Sequence, residues 1–125
     1  MSKSAQDFLS EANSMVPSIA VAEAVSLINS GEAVVIDVRD GKEIDQSGTV
    51  KNALRIPRGM IEFVADPTTS FYNDQISNDK EILVICGAGG MAALTGKTLM
   101  EMGYTNVHNI GGFSAWKDAG GPTED

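Results

Sequence analysis

Cysteine is nearly absent from this chain, which holds a single one, Cys86, in 125 residues. One thiol excludes an internal disulfide and any metal site built from cysteines alone. Positive charge is scarce too. Nine Lys and Arg stand against 17 Asp and Glu, a formal net charge of −8. Such a balance argues against general affinity for nucleic acid or an anionic membrane surface. No apolar run approaches the roughly 20 residues that cross a bilayer. The opening MSKSAQDFLSEANSMVPS carries acids early and lacks a continuous apolar stretch, so no secretory signal is expected. These absences describe a cytoplasmic protein with no nucleic-acid and no membrane partner.

What is present is an ordinary globular balance, 42% apolar and 21% charged, at the length of one domain. Ser4 to Asp7 can cap a helix whose face carries Phe8, Ala12, Met15 and Val16, ended by Pro17. A second helix carries Val21, Ala24, Val25 and Ile28, with Gly31 just past its end. The β-branched run AVVIDV (33–38) predicts a buried strand. DGKEIDQSG is a turn with a short helix at best, and NALRIP is a short second strand stopped by Pro57. RGMIEFVAD predicts a helical turn or two, and the polar stretch 67–80 a surface loop. EILVIC (81–86) is the clearest strand, MAALTGKTLMEM (91–102) a strong helix, NVHNI (106–110) a last short strand, and a short helix around Trp116 closes the chain. Strands alternating with helices imply an α/β fold with a mainly parallel sheet covered on both faces.

The stretch VICGAGGMA (84–92) sets the only thiol between a strand and a helix, at the mouth of a glycine loop. Such a loop holds anions, because its amides and the helix N-terminus point positive potential at one spot. Residues 87–92 match the dinucleotide pattern G-x-G-x-x-[GA]. Short glycine patterns recur by chance, however, and the acidic residue expected about 20 positions on is missing from NVHNIGG. A phosphate loop of the form G-x-x-x-x-G-K-[ST] fails because its first glycine would fall at Met91. The thiol offers a third chemistry. A thiolate facing those amides is a nucleophile, and the same amides stabilise negative charge on whatever it carries. An inert packed cysteine would suit a strand end as well. The glycines directly after Cys86 expose backbone to the sulfur and favour the reactive alternative.

From about Ser18 to Asp125 the chain resembles the single-domain rhodanese (sulfurtransferase-like) family. The likeness runs through VVIDVRDGKEIDQSG, RIPRGMIEF, ILVICGAGGMAAL and MGYTNVHNIGGFSAW, in that order. It implies a rhodanese-like three-layer α/β fold over 18–125, with residues 1–17 as an N-terminal helical extension. It also implies that Cys86 is the nucleophile, within a loop of Gly87, Ala88, Gly89, Gly90, Met91 and Ala92. That cysteine would take a sulfane sulfur from thiosulfate, a persulfide or a polysulfide, and pass it to a thiol or to cyanide. No cofactor and no metal is implied.

Two departures bear on the donor. The family often has arginine at the loop position occupied here by Met91, followed by serine or threonine where this chain has Ala92. The family's G-H-I-P-G-A turn reads Gly48-Thr49-Val50-Lys51-Asn52-Ala53. Methionine cannot make the charge-assisted bonds with which arginine holds an anionic donor, so weak use of thiosulfate is expected. A cysteine phosphatase, which needs a loop arginine for phosphate, is disfavoured on the same ground. Asp37 and Arg39 are expected to support the loops as a buried network that Glu43 joins. Arg58, after the I-P motif, is the best remaining cation for the site, ahead of Lys51, Arg55 and Lys97. His108, Phe113 and Trp116 read as packing residues. The alternative to catalysis is a binding or redox-sensing module. The N-terminal helix suits packing on its own domain or on a second copy, so a homodimer is among the possible assemblies.

Overall fold

Ser4 starts the first helix, α1 (Ala5–Met15). Its Oγ accepts from the Asp7 amide at 3.1 Å, and the Asp7 carboxylate accepts from the Ser4 amide at 2.9 Å. This reciprocal pair satisfies two donors that a helix start leaves open. The computed structural model describes residues 2–125, so Met1, the first residue of the expected extension, lies outside them. Along the chain follow α2 (Val21–Asn29), β1 (Ala33–Asp37), α3 (Gly41–Ser47), β2 (Thr49–Val50) and β3 (Leu54–Arg55). A 3-10 turn (Arg58–Met60) leads into α4 (Ile61–Val64). Then come β4 (Glu81–Cys86), α5 (Gly90–Glu101), β5 (Val107–Gly112), α6 (Phe113–Asp118) and β6 (Thr123–Glu124).

The central sheet has the order β3-β1-β4-β5, with every pairing parallel. Both its faces are apolar, which is why β1 and β4 read as continuous hydrophobic runs rather than alternating ones. On one face Ile36, Ile82 and Val84 pack with Val16, Ile61 and Leu99. On the other, Val35, Leu83 and Ile85 pack with Ala24, Phe113 and Trp116. The three-layer α/β architecture expected from the sequence, a parallel central sheet covered by helices on both faces, is the one observed.

Three details depart from the sequence reading. The buried positions are Ala12 on α1 and Val16 at its C-terminal cap, while Phe8 and Met15 stay 47% and 42% exposed. Leu9, not Phe8, meets the body of the protein. Both lie at helical spacing from Ala12, and contact with α5 selects Leu9. Second, the 67–80 segment is polar but not merely superficial. Ile76 is fully buried, and its carbonyl accepts from the Tyr72 hydroxyl at 3.0 Å. The Tyr104 hydroxyl donates to the Ala65 carbonyl, two residues before the segment, at 2.6 Å. Third, β2 and β6 form an antiparallel pair that joins the chain's end to its middle.

Helix α1 lies directly on α5. An added Cβ at Gly96 would sit 2.8 Å from Val16 Cγ1, so only glycine permits this approach. Beyond α1, the Asn109 amide donates to the Pro17 carbonyl at 2.9 Å, and Ser18 bridges in parallel to Asn109.

Candidate active site

β4 ends at Cys86, at the C-terminal edge of the sheet where open α/β folds gather their ligand sites. The side chain is 2% exposed. Its Sγ accepts two backbone hydrogen bonds, from the Gly89 amide at 3.0 Å and the Ala92 amide at 3.2 Å. Ala92 lies in the first turn of α5, so one donor comes from the loop and one from the helix N-terminus. Gly89 reaches this geometry with φ of +100°, a left-handed conformation that favours glycine. Of the loop residues that the sequence singled out, Gly89 and Ala92 turn their amides to the Cys86 sulfur and cradle it.

The cradle is braced from β5. Val84 pairs with Asn109, but Cys86 pairs with Gly112, so β5 carries one extra residue over this interval. The bulge brings Gly112 beneath the loop: a Cβ there would lie 2.4 Å from the Gly87 carbonyl oxygen. Asn109 completes the brace. Its Nδ2 donates to the Gly89 carbonyl at 3.0 Å, and its Oδ1 accepts from the Gly111 amide at 2.7 Å. Sequence reasoning did not single out Asn109; the Gly111-Gly112 pair was the local sign that β5 approaches the loop. A Gly112→Ala substitution is expected to push the loop off Cys86 and to cost about 1–3 kcal/mol, as overpacking of a close contact does. Thermal denaturation will measure that loss, and backbone amide shifts at Gly89 and Ala92 will report the displaced loop.

Asp37 and Arg39 make the buried network expected of them. Asp37 Oδ1 accepts from the Arg39 amide and Nε, both at 3.0 Å, and Oδ2 accepts from Nη2 at 2.7 Å. Thr49, at the altered turn, donates its hydroxyl to Asp37 Oδ2 at 2.7 Å. Arg39 further donates to Ser47 Oγ and the Gly48 carbonyl, both at 2.9 Å, and its guanidinium lies 4.6 Å from the centre of the Phe113 ring. The hydrogen bond to Asp37 raises the guanidinium above its ordinary range, against the opposing effect of burial. Asp37 pairs in register with Ile85, one residue before the cysteine. The network thus fixes the strand ends and α3.

Charge at the loop itself is sparse. Glu43 Oε2 lies 3.7 Å from Arg39 Nη1 and 3.6 Å from where a Cβ on Gly87 would be. Met91 is 38% exposed. Arg58 stands on the wall of a cavity beside Met91, where it donates to Glu62 at 3.1 Å and to Thr98 Oγ1 at 3.0 Å. Lys97 pairs with Glu101 at 3.2 Å. His108 sits at the far end of β5, 3.5 Å from Glu81, away from the sulfur. Among the described residues, no group of three or more His, Cys, Asp or Glu side chains is placed to hold a metal ion, and no helix is long and apolar enough to cross a membrane.

Residues 20–119 match the family profile described as Rhodanese-like domain. Thiosulfate sulfurtransferase GlpE of Coxiella burnetii is 30% identical over 112 residues, covering 89% of this chain and 95% of that protein. The adenylyltransferase and sulfurtransferase UBA4 of Candida albicans is 33% identical over 91 residues, or 72% of this chain; the match spans only 20% of that longer protein. Among solved structures, a protein of unknown function from Rhodopseudomonas palustris CGA009, described as a possible tyrosine phosphatase, superposes with a TM-score of 0.89 at 37% identity. It covers 99% of this chain and 96% of its own.

Proposed function

The chain belongs to the rhodanese-like domain family, and on that premise we propose that it is a sulfurtransferase carrying sulfane sulfur on Cys86. The observation behind this reading is the pair of amides 3.0 and 3.2 Å from the chain's only sulfhydryl sulfur. In the first step the Cys86 thiolate attacks the sulfane sulfur of the donor. The donor's S–S bond breaks, and the leaving group, sulfite in the case of thiosulfate, departs with the electron pair. Cys86 is left as a persulfide. In the second step an acceptor thiolate or cyanide attacks the outer sulfur, and the electron pair of the broken S–S bond returns to Sγ. Two amide donors fixed before reaction favour negative charge on sulfur at both ends of the cycle. The reading requires neither metal nor cofactor. It places the protein in the cytoplasm, where a lone reduced cysteine persists, and treats residues 1–17 as a helical addition to a rhodanese-like unit of 18–125.

The preferred donor is a persulfide or polysulfide rather than thiosulfate. Met91 offers no charge, and Glu43 sets a carboxylate beside Gly87. A cysteine phosphatase finds no support in this loop, since neither residue 91 nor residue 92 is arginine.

Intact-mass measurement after exposure to each donor tests the reading. Polysulfide should add one sulfur atom rapidly and thiosulfate slowly. Met91→Arg should raise kcat/KM for thiosulfate roughly tenfold, the lower range for a hydrogen bond to a charged group. Thiosulfate turnover already as high without the arginine would sink the donor preference. No sulfur gained from either donor would leave the binding or redox-sensing module as the better account.

A further inference from the structure

Between α1 and the outer face of α5 lies a cavity of about 600 Å³, within the ~300–1,000 Å³ usual for small-molecule sites. Phe8, Leu9, Met91 and Leu94 supply its apolar wall. It adjoins the cradle, because Gly90 and Met91 line the cavity while the flanking Gly89 and Ala92 amides hold the sulfur. Leu9 sits against this segment: an added Cβ at Gly90 would be 3.4 Å from Leu9 Cδ2.

The cavity's charges decide what fits. Its two cations, Arg58 and Lys97, are already paired with Glu62 and Glu101. A dianion would find no uncommitted positive group here and would fill little of the space. The apolar side is unusually open for large side chains, with Phe8 47% and Met91 38% exposed. An uncharged hydrocarbon group satisfies both facts, burying that surface without disturbing the ion pairs.

We propose that this cavity receives the apolar substituent of the thiol that takes sulfur from Cys86, making the protein selective for acceptors with an aliphatic or aromatic group. The inference rests on the sulfurtransferase reading above. In the transfer the acceptor thiolate R–S⁻ attacks the outer sulfur of Cys86–S–SH. The S–S bond breaks, its electron pair returns to Sγ, and R–S–SH leaves with the proton already on the transferred sulfur. The R group meanwhile lies along Met91 and Leu94, and binding it holds the attacking sulfur at the cradle.

Single-turnover transfer from polysulfide-loaded protein to ethanethiol, butanethiol and hexanethiol provides the test. These thiols have closely similar acidity, so differences in rate report binding of the chain. The second-order rate constant should rise about twofold per added methylene, against roughly fourfold for complete burial of each one. Phe8 is half exposed, so Phe8→Ser keeps the fold, and it should lower the hexanethiol-to-ethanethiol ratio by roughly threefold or more. Leu94→Asp should do the same. A flat series, or a ratio unmoved in both variants, overturns the proposal. A second arm needs no sulfur chemistry: hexanol is titrated into the Cys86→Ser protein while the methionine methyl signals are followed by NMR. The Met91 methyl should shift saturably, and its failure to move overturns the cavity whatever Cys86 does. If Cys86 takes up no sulfur, the transfer reading falls by itself, and the hexanol titration still decides whether the cavity holds an apolar chain.

Discussion

Replacing Cys86 with serine should abolish sulfur loading and turnover while leaving the fold in place. Serine fills nearly the same volume at a position 2% exposed. Its hydroxyl can accept from the Gly89 and Ala92 amides that now bond to sulfur, so the loop keeps its anchor. What it lacks is chemistry: a neutral hydroxyl does not attack a sulfane sulfur and cannot carry one. The chain has no second cysteine to take over. Intact mass should therefore show no added sulfur, and transfer to any acceptor should fall to the rate without protein. A thermal midpoint close to that of the unaltered chain would establish that the loss is chemical rather than structural. Retained turnover in the serine variant would refute the covalent route outright.

The largest structural effect is expected at Asp37. Its carboxylate grips the Nε–Nη2 edge of the Arg39 guanidinium and takes the Thr49 hydroxyl, with Asp37 fully buried and Arg39 3% exposed. Asp37→Ala removes the counter-charge but leaves the guanidinium inside. Breaking such a pair from one side costs about 3–5 kcal/mol, because the remaining charge is buried without compensation. For a domain of this size that lowers the melting midpoint by roughly 10–20 °C. Arg39 does not titrate in the working range, so the loss should be independent of pH between neutrality and mild alkali. Removing both partners, as in Asp37→Ala with Arg39→Met, should recover much of the stability, since no charge is then stranded. A single-variant loss under about 1 kcal/mol would mean that the pair behaves like a surface ion pair and does not hold the strand ends.

Much of this arrangement was legible because its determinants are close in sequence. Strand, glycine loop and helix are contiguous around Cys86, and Asp37 and Arg39 are two residues apart at a strand end. Glycine placement marks the loop, and the strand-end position of Asp37 and Arg39, within the stretch VVIDVRDGKEIDQSG that carries the family resemblance, marks the pair. The features that escaped join distant parts of the chain. Asn109 braces Gly89 from 20 residues away, through a bulge whose register depends on how β5 settles against β4. The β2–β6 pair, two residues on each side, carries no periodic signal of its own. Ile76 is one apolar residue in a polar stretch, and only the fold shows that it is fully buried. On α1 the spacing allowed either Phe8 or Leu9 to face inward, and the neighbouring helix decided between them. That choice leaves Phe8 half exposed on the wall of the cavity that Met91 also lines.

Gly96 works as a calliper. Lacking a side chain, it lets Val16 close on α5, and the distance between the two helix axes is fixed there. The same two helices flank the cavity, whose lining runs along α5 on both sides of Gly96, from Gly90 to Glu101, so its width is set by a residue that does not itself line it. A methyl group at that one position would splay the helices and widen the slot, while the thiol and its amides kept their places. The hold on the Cys86 sulfur and the width of the cavity thus depend on separate residues of one helix, Ala92 and Gly96.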